Sequence, residues 1–285
     1  MTSHIQLRSI LEWHQLVGVD ETITSKPVNR VSDLELQPPL DTPINLKSSV
    51  SVESPFAKSK TTSPDSRKKA ELISKSSRDT LQSAPDIAAS ANSVEDLRIA
   101  LENFDGCTLK KTATNLVFVD GNDSAEILFI GEGPGAEEDR RGRPFVGPSG
   151  ILLEKMLASI GLTRSNVLIS NTVFWRPPGN RTPTPQEIIA CLPFVERLVE
   201  IVKPKILVPL GGAAAKSLLG ETQGIGRLRG RWFEFKTPNL LCPVISTPMF
   251  HPAYLLRTST QKRAAWNDLR LVRKKLDEMQ LDAPA

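Results

Sequence analysis

The sequence predicts a layered α/β domain preceded by a disordered N-terminal region, on three observations. Ile127 to Ile130, Val167 to Ile169, Ile206 to Leu210 and Val244 to Ile245 are short apolar runs rich in β-branched residues, the pattern of parallel strands buried on both faces. Between them lie helical stretches at Ser149 to Ile160, Pro185 to Val202 and Ala213 to Leu219, with a last one at Lys262 to Met279. Strands alternating with helices imply right-handed crossovers and helices layered on a sheet. The third observation is compositional: residues 19–92 hold fourteen Ser and seven Pro, no Gly, Trp, Tyr or Cys, and a single aromatic, Phe56. So little apolar surface cannot offset the ordering entropy, and the stretch reads as a disordered linker.

The linker divides the chain into three parts. Residues 1–18 carry Leu7, Ile10, Leu11, Trp13 and Leu16 at the spacing of a short amphipathic helix, which needs a surface to pack on. Either it docks on a protein partner or it folds back on the main domain. Order resumes at Ser93, where Ser93-Val94-Glu95-Asp96 has the form of a capping box, and residues 93–285 are expected to form the domain. That length is ample for one core.

Bulk numbers exclude more than they assign. A net charge of +4 and a pI near 9.0 are compatible with an anionic partner such as nucleic acid. Cys107, Cys191 and Cys242 are an odd number with no CxxC pair, so a disulfide framework is not expected and a reducing, cytoplasmic setting is. No apolar run reaches the ~18 residues of a membrane helix, and residues 1–20 lack a secretory layout, so no membrane partner is expected.

In an open α/β sheet, sites form outside the carboxyl ends of the strands, and each candidate motif lies there. The first strand runs into Gly131-Glu132-Gly133-Pro134-Gly135, where bare backbone can turn sharply and approach a ligand, with Glu132 in the middle and Glu137, Glu138 and Asp139 just after. Its glycines stand at i, i+2 and i+4, so no GxGxxG register of a dinucleotide loop can be written, and no GxxxxGKS/T phosphate loop occurs. A nucleotide-dependent α/β enzyme is thereby disfavoured. Arg140-Arg141-Gly142-Arg143-Pro144-Phe145-Val146-Gly147 sets cations around an aromatic on a loop, which suits phosphates and a stacked base, although Phe145 could equally be core.

The second strand ends at Asn171, whose amide can offer both a donor and an acceptor to a pyrimidine edge or cap a turn. Arg176-Pro177-Pro178-Gly179-Asn180-Arg181 follows, a rigid loop with two arginines fit for phosphates. After the fourth strand comes His251-Pro252-Ala253-Tyr254-Leu255-Leu256-Arg257. His251 is the domain's sole imidazole; a lone histidine is more often structural, but its place at a strand end before a proline favours function, and apolar side chains beside an arginine can wedge into a base stack.

Taken together, GEGPGAEED, GRPFVG, NTVFWRPPGNR and HPAYLLR resemble the signature set of the uracil-DNA glycosylase superfamily, closest to its family-4, iron–sulfur branch. The resemblance spans about Asp105 to Leu276. It implies a three-layer αβα sandwich with a central four-stranded parallel sheet, uracil-containing DNA as partner, a monomer, and hydrolysis of the uracil–deoxyribose bond by base flipping and water attack. Carried onto this chain, Glu132 positions or activates the water, with Glu138 as the second catalytic carboxylate. Gly133, Phe145 and Asn171 bind uracil, and His251 bonds its carbonyl oxygen. Arg143, Arg176 and Arg181 meet phosphates, while Leu255, Leu256 and Arg257 hold the space the flipped nucleotide leaves. A non-catalytic DNA-binding or scaffold protein that keeps the fold is the alternative.

The resemblance breaks at one place. Family-4 members resemble one another in four cysteines that hold a 4Fe–4S cluster. Cys107 and Cys191 match two of those positions, whereas Phe104 and Trp175 stand at the others. With two thiolates of four, no intact cluster and no other cofactor is expected.

Overall fold

In a computed structural model the structure describes residues 84–281. The readings made for residues 1–18 and 19–83 lie outside them. Residues 84–90, however, are helical, and Ala84, Ala88 and Ala91 are buried in the core. The expected boundary at Ser93 is therefore corrected: the domain takes in the end of the Ser/Pro-rich stretch, where alanine spacing supplies a small apolar face.

The helices are α1 (residues 84–90), α2 (Val94–Asn103), α3 (Ala136–Arg141), α4 (Pro148–Ser159) and α5 (Pro185–Val202). They continue with α6 (Gly212–Leu219), α7 (Ile225–Leu228), α8 (Pro252–Arg257) and α9 (Lys262–Leu281). Local chemistry sets their starts. Ser93 Oγ accepts from Asp96 N–H at 3.0 Å to open α2, and Thr184 and Glu187 form a reciprocal capping box ahead of Pro185 in α5.

The strands β1 (Asp120–Gly121), β2 (Ile127–Gly131), β3 (Leu168–Asn171), β4 (Ile206–Pro209), β5 (Phe233–Phe235) and β6 (Val244–Ser246) form one sheet in the order β1-β3-β2-β4-β6-β5. The inner four are parallel, as expected. The edges β1 and β5 are antiparallel additions, so the sheet is mixed rather than all parallel. At two and three residues each, neither carries enough periodicity to be read from sequence.

Every residue of β2, β3 and β4 is buried. Alternation sorts them between two cores. Leu128, Ile130, Leu168 and Leu207 face α1, α2 and α5, whereas Ile127, Phe129, Ile169, Ile206 and Val208 face α4, α8 and α9. Each fully buried Leu, Ile or Phe contributes about 1.5–3 kcal/mol, so the central strands are the most costly part of the chain to disturb. They also end together. Gly131 pairs in register with Asn171, which brings the glycine loop and the amide to one rim. Among the described residues no helix is long and apolar enough to cross a membrane.

Candidate active site

At that rim a cleft of about 450 Å³ opens, and Glu132, Gly133, Phe145, Asn171, His251 and Arg257 all line it. Four sequence segments thus converge, as expected from motifs at strand ends. The backbone of Glu132 is tied to β3: its carbonyl accepts from Thr172 Oγ1 at 2.6 Å and from Val173 N–H at 3.3 Å, while Thr172 N–H donates to Gly131 O at 2.9 Å. The strand end, rather than the glycines alone, fixes where the carboxylate stands.

Gly131 is where two predicted side chains meet. A Cβ there would lie 2.5 Å from Asn171 Oδ1 and 2.7 Å from Phe145 Cζ, so only glycine lets the amide and the ring close over the strand end. The Phe145 ring sits 5.5 Å from the His251 ring, with 31° between their planes. Phe145 is 4% exposed and Asn171 2%. Phe145 belongs to the core beneath the cleft and also lines it.

His251 caps α8, and its Nδ1 accepts from Ala253 N–H at 3.1 Å. Burial, helped by the charge of Arg257, pulls its pKa down to about 4. Near neutral pH the ring is uncharged, and because Nδ1 is an acceptor the proton resides on Nε2, which is left to donate. Gly211, at φ +96°, makes room for it: a Cβ there would stand 3.1 Å from His251 Cβ. Glu132, His251 and Tyr254 also border a second cavity of about 530 Å³, bounded by Gly211, Gly212, Ile225 and Arg229.

Four polar side chains of the cleft are largely without internal partners. Among the described residues the side chains of Glu132, Asn171 and Arg257 make no hydrogen bond or ion pair, and His251 uses Nδ1 alone. Asn171 is 2% exposed, and its amide opens on the cleft without an internal bond, which leaves it able to bond a ligand there.

Other expected residues are employed elsewhere. Arg143 forms a bidentate pair with Asp120 (2.9 and 3.1 Å), Arg181 pairs with Glu187 (2.6 and 2.9 Å), and Arg176 Nε donates to Asn180 Oδ1 at 2.7 Å. Arg181 pulls the Glu187 carboxyl down to about 2. These guanidiniums brace loops within the chain, and Arg181 still reaches the cleft. Leu255 is 1% exposed and packs in the core, so it is no wedge, while Leu256 at 46% and Arg257 beside it are exposed. Glu138 is buried, and its Oε1 accepts from Val146 N–H and Gly147 N–H at 3.0 and 2.8 Å. Sequence reasoning missed Thr172 and Gly211. Only the Gly211-Gly212 pair after β4 offered a signal, as glycines at a strand end.

A sequence model described as "Uracil DNA glycosylase superfamily" matches residues 118–270, just over half of the chain. The chain belongs to the uracil DNA glycosylase superfamily. Relatives named Type-4 uracil-DNA glycosylase are similar to it: that of Archaeoglobus fulgidus is 41% identical over 168 residues, 58% of this chain and 83% of its own length. That of Thermotoga maritima is 41% identical over 157 residues (55% and 79%), and that of Sulfurisphaera tokodaii 38% over 187 residues (64% and 84%).

The residues at the cluster positions do not suit a cluster in this superfamily member. Phe104 is buried with its ring 4.9 Å from that of Phe194, and Trp175 is buried edge-on to Phe174 at 6.3 Å. Cys107 and Cys191 are both buried, free thiols; the neighbouring Cys191 lowers the pKa of Cys107, while burial raises that of Cys191. Cys242 is exposed on the β5–β6 turn. Among the described residues no three His, Cys, Asp or Glu side chains group to hold a metal.

Proposed function

We propose that the chain removes uracil from DNA, leaving an abasic site. The observation that carries this is the convergence of Asn171, Phe145 and a neutral His251 on one cleft, with the Asn171 amide and His251 Nε2 unused by the protein. A base within a duplex is inaccessible, so the target nucleotide must swing out, at a cost of about a few kcal/mol that pocket contacts offset. Leu256 and Arg257, exposed at the end of α8, are placed to fill the gap. Phe145 then stacks on the ring. Asn171 pairs with its edge and rejects cytosine, whose reversed donor and acceptor would leave buried polar groups unmatched.

As the C1′–N1 bond breaks, the electron pair passes to uracil and positive charge builds on the sugar. The Nε2–H of His251 donates to the uracil carbonyl on which negative charge collects, and Glu132 balances the sugar and orients the water that adds to C1′. Its proton leaves to solvent. Neutrality of His251 matters here, since an uncharged imidazole near pH 7 binds uracil without depending on a buried cation. Incubation with uracil-containing single-stranded and duplex oligonucleotides, followed by alkali, tests this reading: strand cleavage at uracil is expected. DNA binding without cleavage would favour a non-catalytic scaffold.

We also infer that the domain folds without a 4Fe–4S cluster, since Phe104 and Trp175 fill its place with packed rings. Anaerobically purified protein should be colourless and free of iron. A brown protein with about four irons per chain would overturn this.

A further inference from the structure

Phe145 adopts φ 53°, the left-handed region that side chains with a Cβ rarely occupy, at a cost of about 1–3 kcal/mol unless surroundings impose it. The surroundings do so from both sides. Arg164 donates through Nη1 to Pro144 O (3.1 Å) and through Nη2 to Phe145 O (2.6 Å). Glu138 Oε1 accepts from Val146 N–H (3.0 Å) and Gly147 N–H (2.8 Å). The carbonyl of Phe145 and the amide of Val146 belong to one peptide unit, so a cation grips one end of that plane and an anion the other. Arg164 is itself fixed by Glu154 (2.8 and 3.0 Å) and by Asp120, which also holds Arg143. Gly150 leaves the space: a Cβ there would lie 1.8 Å from Phe145 O.

We propose that Arg164 and Glu138 are positioning residues that clamp the Phe145 backbone so that its ring lies over Gly131, between Asn171 and His251. This rests on the reading that Phe145 stacks on uracil. It gives Glu138 Oε1 a job other than acting on water, because that oxygen is engaged with two amides. Its neighbours are equally occupied, with Glu137 paired to Arg140 and Asp139 capping the backbone of Thr114 and Asn115. If the clamp is released, Phe145 can relax and the ring leaves its place, and a displacement of about 1 Å at a reacting site costs about 100-fold in rate.

The test is a double-mutant cycle on the full chain. Single-turnover uracil release from single-stranded DNA and the inhibition constant of free uracil are measured for Arg164→Ala, Glu138→Ala and Glu138→Gln, each alone and with Phe145→Ala. Arg164→Ala and Glu138→Ala are expected to slow release about 10- to 100-fold and weaken uracil inhibition in parallel. Glu138→Gln keeps an oxygen that can accept both amides and is expected to stay within about three-fold of the parent. In the Phe145→Ala background all three changes should fall below about two-fold, because no ring remains to be placed. Equal loss in Glu138→Gln and Glu138→Ala would assign Glu138 to carboxylate chemistry and overturn the clamp, as would full loss that persists without the Phe145 ring. If Phe145→Ala leaves release and uracil inhibition unchanged, the stacking reading itself fails, and the clamp with it. Should Arg164→Ala not fold, the Glu138 pair completes the same cycle.

Discussion

The rim where β2 and β3 end and the patch formed by Phe104, Cys107, Trp175 and Cys191 are built by opposite rules. At the rim, glycines admit side chains that would otherwise collide, Phe145 holds an unfavourable backbone angle, and Asn171 opens an amide without an internal bond on the cleft. At the patch, rings pack on rings and two free thiols lie buried beside them. Strain and unmet polar groups lower stability, so their concentration at the rim marks where a ligand completes the structure. Substitutions should therefore separate the two regions, the rim through rate and the patch through stability.

The largest separation is expected at Asn171. Asn171→Ala should lower uracil release by about 100- to 1,000-fold, the range for loss of one polar contact to a reacting group, while leaving the melting temperature unchanged or raised. A large fall in melting temperature would mean that the amide serves the fold. Gly131→Ala comes next. The added carbon meets Asn171 Oδ1 and the Phe145 ring, so a loss of about 100-fold in release is expected, with the parent's affinity for abasic-site DNA retained.

The pH dependence sharpens the same contrast. The folded pKa of His251, about 4, lies below its ordinary value of 6.5, so the unfolded chain takes up a proton first as pH falls. Its contribution is present above pH 6.5 and is lost progressively between 6.5 and about 4. Asp268 opposes it, since burial raises that carboxyl to about 6 despite Arg229. Comparing melting temperatures of the parent and His251→Ala from pH 7 to 4 removes the Asp268 part, and the parent should fall more steeply. Parallel curves would contradict a depressed His251.

At the patch the effects on rate are the smallest. Trp175→Ala should cost about 3–5 kcal/mol of stability through the cavity it leaves, read from denaturant unfolding, yet change release at 25 °C by less than about three-fold. A stability loss near zero would mean that the indole is not packed as core.

The parallel strands were legible because burial on both faces forces continuous β-branched runs, and the clustering of motifs at strand ends follows from the topology. What stayed hidden depended on distant partners. Arg143, Arg176 and Arg181 read as phosphate ligands, but charge in sequence does not disclose that Asp120, Asn180 and Glu187 engage them. Leu255 and Leu256 are adjacent and chemically alike, and only the packing of α8 on α4 decides that one is core and the other exposed. Nothing local to Glu138 reveals that its Oε1 meets backbone amides eight and nine residues away.

The central claim is that the rim excises uracil with His251 as the neutral donor. Single-turnover release of uracil from a labelled oligonucleotide, for the parent and His251→Ala at pH 7, tests it most directly. The parent should yield alkali-labile sites at uracil and none at cytosine, with His251→Ala slower by about 100- to 1,000-fold. Equal rates for the two proteins, or no cleavage by the parent, would contradict it.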